Sequence, residues 1–425
     1  MSERWASATT DPAGQVLVVD AGSHSIRLAL VGPHGDVLAA KRVDAPPEEA
    51  AGAVPGFLAE SAGGREGTTG PVVVGHRLVH GGEEITQPVV VDDAVRDAAE
   101  RTGVLAPLHN PPALVALDLV RRSLPDVPHV ICPDTAFHAG LPRGAATYPL
   151  PWEWIERYGL RRYGFHGLSY AWALRRAAEL LGSRSTQLQM VLVHLGGGCS
   201  ACAVREGRSV DTTMGFTPLE GLAMTTRSGS VDPGLLLWLQ NQHGLSPEAL
   251  ADALNSHSGL LGLSGSSADT RDLVAARAAG DDRAALALEV FNHRVRAAIA
   301  AMAASLDRLD AVVFTGEIGG DQPEVRQEVC AGLGVLGVPT TIASGPAAEE
   351  EGDQVLSPEG ASPAVVVVQT GEVLEIAAQT RAALRRLGRR GWDEPGHRAV
   401  DPVDQDGFDS FPASDPPAHW AAASR

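Results

Sequence analysis

The stretch VLVVDAGSHSIRLALVGPHGDVLAAKRV (residues 16–43) decides the fold. An apolar run over 16–20 meets a turn at Ala21-Gly22-Ser23. Residues 25–31 then alternate, with Ile26, Leu28 and Leu30 on one face. Gly32-Pro33-His34-Gly35 turns again, and 36–43 reads as a third strand. About 175 residues on, MVLVHLGGGCSACAVREGRSVDT (190–212) has the same order of strand, glycine loop, strand, turn and strand. The two copies predict an internal duplication, although the pattern alone also admits two unrelated hairpins. Each loop is short enough for backbone N–H groups to face a phosphate.

Helical patterns lie between and after the meanders. Asn110 can cap a helix that opens at Pro111 and runs to about Arg122. Residues 170–181 read as helix, closed by Gly182. Residues 285–309 are the longest candidate, with Phe291, Val295, Ile299, Met302 and Leu306 at helical spacing as core. A strand at 311–315 then runs into Gly316, Gly319 and Gly320, before Pro323 opens another helix. A strand, a glycine turn and a helix start can hold an anion.

Composition narrows the function. The chain has 425 residues, enough for two domains, and 44% are hydrophobic. A formal charge of −18 argues against a nucleic-acid binder. No apolar run reaches the ~18 residues of a membrane span. Residues 1–15 hold no apolar leader core, so the expected location is the cytoplasm. Four cysteines in so long a chain make no disulfide framework. Cys199 and Cys202 form a C-x-x-C, but with no second Cys/His pair nearby they read as strand residues. Lys41 is the only lysine. A lysine phosphate loop is thereby absent, and a single lysine argues against Schiff-base chemistry. Phosphate chemistry here must use arginine, backbone N–H groups and metal.

Polar residues gather in dense clusters: GHRLVHGGE (75–83), LAPLHNP (105–111), DTAFH (134–138), RYGFHG (162–167), DTTMGFTPLEG (211–221) and TRSG (226–229). Singly each is weak. Together, from about residue 16 to 380 and in this order, they resemble the acetate kinase family. The resemblance implies an α/β fold of duplicated actin-like (ribonuclease H-like) βββαβαβα domains with an interdomain nucleotide cleft. It implies domains at 16–150 plus 372–390 and at 151–371. A flexible tail is expected at 1–15, and the Pro, Asp, Ser and Ala content of 391–425 predicts a disordered tail there.

It also implies the chemistry: reversible transfer of the ATP γ-phosphoryl group to acetate, giving acetyl phosphate and ADP by in-line displacement. By this resemblance Arg77 binds the substrate carboxylate, and Arg227 holds the transferring group with His166, supported by His109. Arginine suits both tasks through its planar fork. Asp134 is the catalytic carboxylate. Val79, Leu108, Phe165 and Pro218 form the methyl pocket. Asp20 and Glu372 serve Mg²⁺, with Mn²⁺ as the alternative. The nucleotide falls to Ser23, Ser25 and Arg27; to His194, Leu195, Gly196, Gly197 and Gly198; to Asp269, Thr270 and Arg271; and to Glu317, Ile318, Gly319, Gly320 and Asp321. A homodimer is implied as well.

The departures from the family pattern fall in the nucleotide loops. The first loop usually begins with Asn and is followed by Lys; here Asp20 and Arg27 stand there. Gly197 replaces an Asn, and Glu317 replaces a Gly. Tyr170 stands at a usual His, and Ser230 at a usual Asp. These changes leave other readings open: a kinase for propionate or another short acid, one with a non-ATP donor, or a degenerate ligand-binding paralogue. They predict weakened ATP binding beside an intact acyl side.

Overall fold

The computed structural model describes residues 14–22, 25–62, 73–343 and 352–390. The expectations for residues 1–13, for Ser23 and for the tail from Gly391 lie outside the described residues. The first sheet comprises β1 (Val16–Ala21), β2 (Ile26–Val31), β3 (Val37–Val43), β4 (Val73–Leu78), β5 (Val89–Val90) and β6 (His129–Pro133). The second comprises β7 (Gln189–Leu195), β8 (Cys199–Arg205), β9 (Arg208–Thr212), β10 (Ala311–Thr315), β11 (Gln354–Val355) and β12 (Ala364–Val367). Their orders are β3-β2-β1-β4-β6-β5 and β11-β12-β10-β7-β8-β9. Read from the meander outward, the two correspond strand for strand. In each, an antiparallel meander joins two parallel strands and ends in a short antiparallel edge. The duplication expected from the two meanders is therefore present.

The central strands are largely apolar because both faces are covered. Leu17 and Val19 of β1 point into one core while Val16 and Val18 point into another. The second core face is closed by the Glu372–Arg390 helix, through Ile376, Ala377, Ala383 and Leu384. That helix comes back to the first sheet after the chain has built the second. At β4 a Cβ on Gly75 would lie 2.3 Å from Thr380 Oγ1, so only glycine allows this approach. In β7, Val191, Val193 and Leu195 face one core and Met190 and Leu192 the other. The C-x-x-C divides the same way. Cys199 and Cys202 are buried free thiols in different cores, as three residues along a strand requires.

Three helix expectations need correction. His109, not Asn110, occupies the cap of the Asn110–Ser123 helix. The Asn110 carboxamide is instead buried against the loop after β4. It accepts from the His80 N–H at 3.1 Å and donates to the His80 carbonyl at 2.8 Å. The helix expected from 170 begins at Gly167, because His166 adopts a left-handed conformation (φ 59°) that starts the turn early. The long helix is Asp282–Ala303 and stops short of Leu309. Gln189 Oε1 accepts from the Asp307 and Arg308 amides beyond it, while Leu306 and Leu309 still pack on the core.

Candidate active site

The carboxyl ends of parallel strands in the first sheet bring three charged residues together. Asp20 lies near the end of β1, Arg77 near the end of β4, and Asp134 directly after β6. Arg77 Nη2 donates to Asp134 Oδ2 at 2.7 Å, Nε to the same oxygen at 3.2 Å, and Nη1 to Asp20 Oδ1 at 3.2 Å. Asp134 is almost fully buried. Burial pushes its carboxyl above the usual range, against the pull of Arg77. Burial alone would lower the Arg77 guanidinium, but Asp134 and then Asp20 more than offset it and hold it firmly charged. Glu372, at the start of the returning helix, is raised first by its burial and interacts with Arg77, Asp20 and Arg27.

From the second sheet's side come His166, His194 and Arg227. His166 stacks on His194 with ring centroids 4.1 Å apart and planes at 28°. Its Nδ1 lies 2.9 Å from Ser200 Oγ, and His194 Nδ1 lies 2.8 Å from Ser169 Oγ. Arg227 donates to the Pro218 carbonyl at 3.1 Å. Among the described residues no carboxylate pairs with Arg227, and burial lowers its guanidinium. The two halves meet electrostatically. His109 is held at about 4 by burial, then by Arg227 and Arg77. His166 is held well below 6.5 by burial, His194, Arg77 and Arg227. Two guanidiniums and two neutral imidazoles thus face one region. That is an arrangement for an anion. Gly198 lies against it: a Cβ there would be 3.1 Å from His166 Nε2 and 3.5 Å from an Arg227 Nη1.

Beside this centre opens a recess of ≈ 970 Å³ of empty volume, lined in part by Gly196, Gly197, Asp269, Thr270, Arg271, Glu317, Ile318 and Asp321. Eight of the expected nucleotide residues therefore share one wall. Others do not. Leu195 is fully buried core, and Gly319 and Gly320 are buried at the back of the short Gly316–Asp321 helix. His194 stacks on His166 and does not line the recess. Ser25 and Arg27 belong to the acidic end near Asp20 rather than to the recess. Gly316 has φ +86°, and a Cβ would come within 2.4 Å of the Leu195 carbonyl, so this position demands glycine. Position 317 has no such demand. Glu317 is exposed and acts on His194 electrostatically.

The four apolar residues differ in setting. Phe165 is buried core, Val79 is half-buried against that core, and Pro218 is half-buried and bonded to Arg227 through its carbonyl. Leu108 is 63% exposed. For a divalent cation, Asp20 and Glu372 offer hard carboxylate oxygens, and Asp20 spends only one on Arg77. This donor set fits Mg²⁺. Among the described residues no cluster of three or more His, Cys, Asp or Glu could hold a metal, so phosphate and water oxygens would have to complete the shell.

Sequence reasoning missed Thr225, Ala268 and Gln322, which also line the recess. Thr225 donates to the Gly197 carbonyl at 3.0 Å. Its place beside the Thr226-Arg227 motif was the available signal. Ser200 was missed because a serine inside a strand reads only as a small residue.

Comparison with known proteins finds relatives in both sequence and fold. The model of the acetokinase family matches residues 61–378, so β1 to β3 lie ahead of the match. The chain is 52% identical over 265 residues to an acetate kinase of Synechococcus sp.. That match covers 62% of this chain and 65% of the relative, a little under two thirds of its length. Among solved structures, Porphyromonas gingivalis acetate kinase has a TM-score of 0.79 at 34% identity, covering 87% of this chain and 100% of that one. A propionate kinase from Francisella tularensis has a TM-score of 0.78 at 31% identity, covering 87% and 99%.

Proposed function

This chain belongs to the acetokinase family, and on that premise we propose that it transfers the γ-phosphoryl group of ATP reversibly to acetate. The products are acetyl phosphate and ADP. One observation carries the reading: Gly198, next to the recess-lining Gly196 and Gly197, brings the backbone against His166 and Arg227, with a Cβ there 3.1 Å from His166 Nε2 and 3.5 Å from an Arg227 Nη1.

Phosphoryl transfer asks for alignment and charge neutralisation more than covalent help. Arg77 has five N–H donors, of which Asp134 and Asp20 take three, leaving two for the acetate carboxylate. Asp134 fixes the plane of that fork. Arg227, with no carboxylate to satisfy, is free to follow the charge on the transferring group. His166 supplies a neutral donor from the side, and His109 completes the wall. Mg²⁺, held by Asp20 and Glu372, would add positive charge at the nucleotide phosphates. Residues 16–150 with 372–390 form the N-terminal domain, which carries Arg77 and Asp134, and 151–371 form the C-terminal domain, which carries His166 and Arg227.

A homodimer is also proposed. The Pro233–His243 helix has no buried residue and exposes Leu235, Leu237 and Trp238; the Trp152–Tyr158 helix exposes Trp152, Trp154 and Tyr158. Such surface asks for a cover. Four free, buried cysteines suit a cytoplasmic location.

The test is a hydroxamate assay of acyl phosphate, with acetate, propionate and butyrate crossed against ATP and pyrophosphate. Acetate with ATP should be the best pair. No acyl phosphate from any pair would overturn the proposal. The similarity to a propionate kinase favours propionate as the second reading. Val79→Ala should then shift preference toward longer acids, since one methylene is worth roughly 1–3 kcal/mol in such a pocket. An unchanged acetate-to-butyrate ratio would make Val79 plain core.

A further inference from the structure

His166 is followed four residues later by Tyr170, on the same face of the helix that His166 caps. Tyr170 and Ser200 are both fully buried. Tyr170 Oη hydrogen-bonds Ser200 Oγ, and Ser200 Oγ lies 2.9 Å from His166 Nδ1. We propose that Tyr170, through Ser200, fixes His166 in the tautomer that carries its proton on Nε2, which makes Tyr170 a positioning residue for phosphoryl transfer. The inference rests on the phosphoryl-transfer reading of His166 given above.

The polarity of this chain of hydrogen bonds follows from where each hydrogen can go. Among the described residues Ser200 Oγ is the one side-chain hydrogen-bond partner of Tyr170 Oη. The backbone of His194 also faces the phenol oxygen, but as a donor, so it does not compete for the phenol proton. The Tyr170 O–H therefore points to Ser200 Oγ. Ser200 then has its own proton to place, and His166 Nδ1 is the acceptor within reach. A nitrogen that accepts cannot carry the hydrogen of a neutral imidazole, so that hydrogen sits on Nε2. The opposite polarity, with Nδ1–H donating to Ser200 and Ser200 to Tyr170, would strand the phenol O–H in a dry interior, which is costly.

The tautomer matters because the ring is neutral. Burial, the stacked His194 and two arginines all disfavour an imidazolium. A cationic ring would donate from both nitrogens whatever Ser200 did. A neutral one donates from a single nitrogen, and Nε2 is the one beside Gly198 and Arg227. In the Nδ1–H form, Nε2 would turn a lone pair toward a charged phosphoryl oxygen.

The experiment uses the full chain labelled with ¹⁵N-histidine, its His166 signals identified by their loss in His166→Gln. The expected wild-type spectrum shows His166 as the Nε2–H tautomer, and Tyr170→Phe shows a mixture. Kinetically, Tyr170→Phe should lower kcat by roughly tenfold, less than the ~10²–10³ lost with an oxyanion donor altogether. KM for acetate and ATP should hold within about twofold, since the ground-state contacts are untouched. In the His166→Gln background the added Phe should cost nothing, because a carboxamide N–H₂ cannot be toggled. Ser200→Ala gives the same loss of tautomer preference if the Phe variant folds poorly. A wild-type Nδ1–H tautomer, or an equal kcat loss from Tyr170→Phe in both backgrounds, overturns the proposal. Should the chain make no acyl phosphate, the functional reading fails, while the ¹⁵N spectra still decide the tautomer.

Discussion

Arg77 and Arg227 look alike in sequence, each inside a dense polar motif, yet their surroundings make them different residues. Arg77 is tied to Asp134 and Asp20, whereas among the described residues the Arg227 guanidinium has only a carbonyl and a thioether. Both should be needed for catalysis, because removing a donor from developing phosphate charge typically costs ~10²–10³ in rate. Their stability effects should diverge. Arg77→Ala strands the buried Asp134 carboxyl, and breaking a buried pair costs about 3–5 kcal/mol. Arg227→Ala leaves the Pro218 carbonyl without its donor but no charge unpaired, so it should melt much closer to the wild-type temperature. Calorimetry alongside the acyl phosphate assay checks both; equal melting temperatures for the two variants would contradict the paired-versus-free distinction. The sequence named both arginines, with Asp134 as a carboxylate that could orient them, but not Asp20 as a partner of Arg77. Asp134 was legible as a polar motif, while its contact with Arg77 depends on the register between β4 and β6.

The glycine loop after β7 and the short helix after β10 form one wall, and there local chemistry decides which positions can vary. Gly196-Gly197-Gly198 reads as three equal glycines. In the fold, a Cβ at Gly197 meets nothing within 4 Å, whereas at Gly198 it presses on His166 and Arg227. Gly198→Ala should therefore lower kcat while leaving the melting temperature close to wild type, since the crowded atoms are side chains facing the cleft. Full activity in that variant would place the phosphoryl group elsewhere. Gly197→Asn fits the open space, and Glu317→Gly removes an exposed carboxylate from the recess. Together they should lower KM for ATP and leave KM for acetate nearly fixed, because repulsion near the phosphates falls while the Arg77 end is untouched. Unchanged ATP binding would mean the recess compensates for its departures. The strands were legible here because two-sided burial makes them continuous apolar runs. Helix limits were not, since the start at Gly167 and the stop at Ala303 follow from the His166 backbone and from Gln189.

The duplicated architecture buries histidine on a scale that governs the whole molecule's response to acid. His80, His129, His138 and His194 are each held at about 4, chiefly by burial. In the unfolded chain each would titrate near 6.5. Above that pH both states are neutral and the groups contribute no slope. As pH falls from about 6.5 toward 4, the unfolded chain takes up protons that the native state refuses, so stability is lost on acidification. The ceiling is 1.36 kcal/mol per pH unit for each histidine, about 5 kcal/mol per unit for four. Asp134 and Glu372 act in the opposite sense, since burial raises their folded carboxyls, but they are fewer. A domain is stable by only about 5–15 kcal/mol, so the histidines should dominate. Urea midpoints measured at pH 7.5, 6.5, 5.5 and 5.0 should stay level over the first step and then drop steeply. His138 is fully buried, with Nε2 donating to the Phe165 carbonyl and Nδ1 against Ser209 Oγ, so an extra proton on Nδ1 would force the Ser209 hydroxyl to turn and place a charge in a dry interior. His138→Gln should therefore flatten the curve as well as lower it. A midpoint constant from pH 7.5 to 5.0 would show that the buried imidazoles find a way to protonate in place.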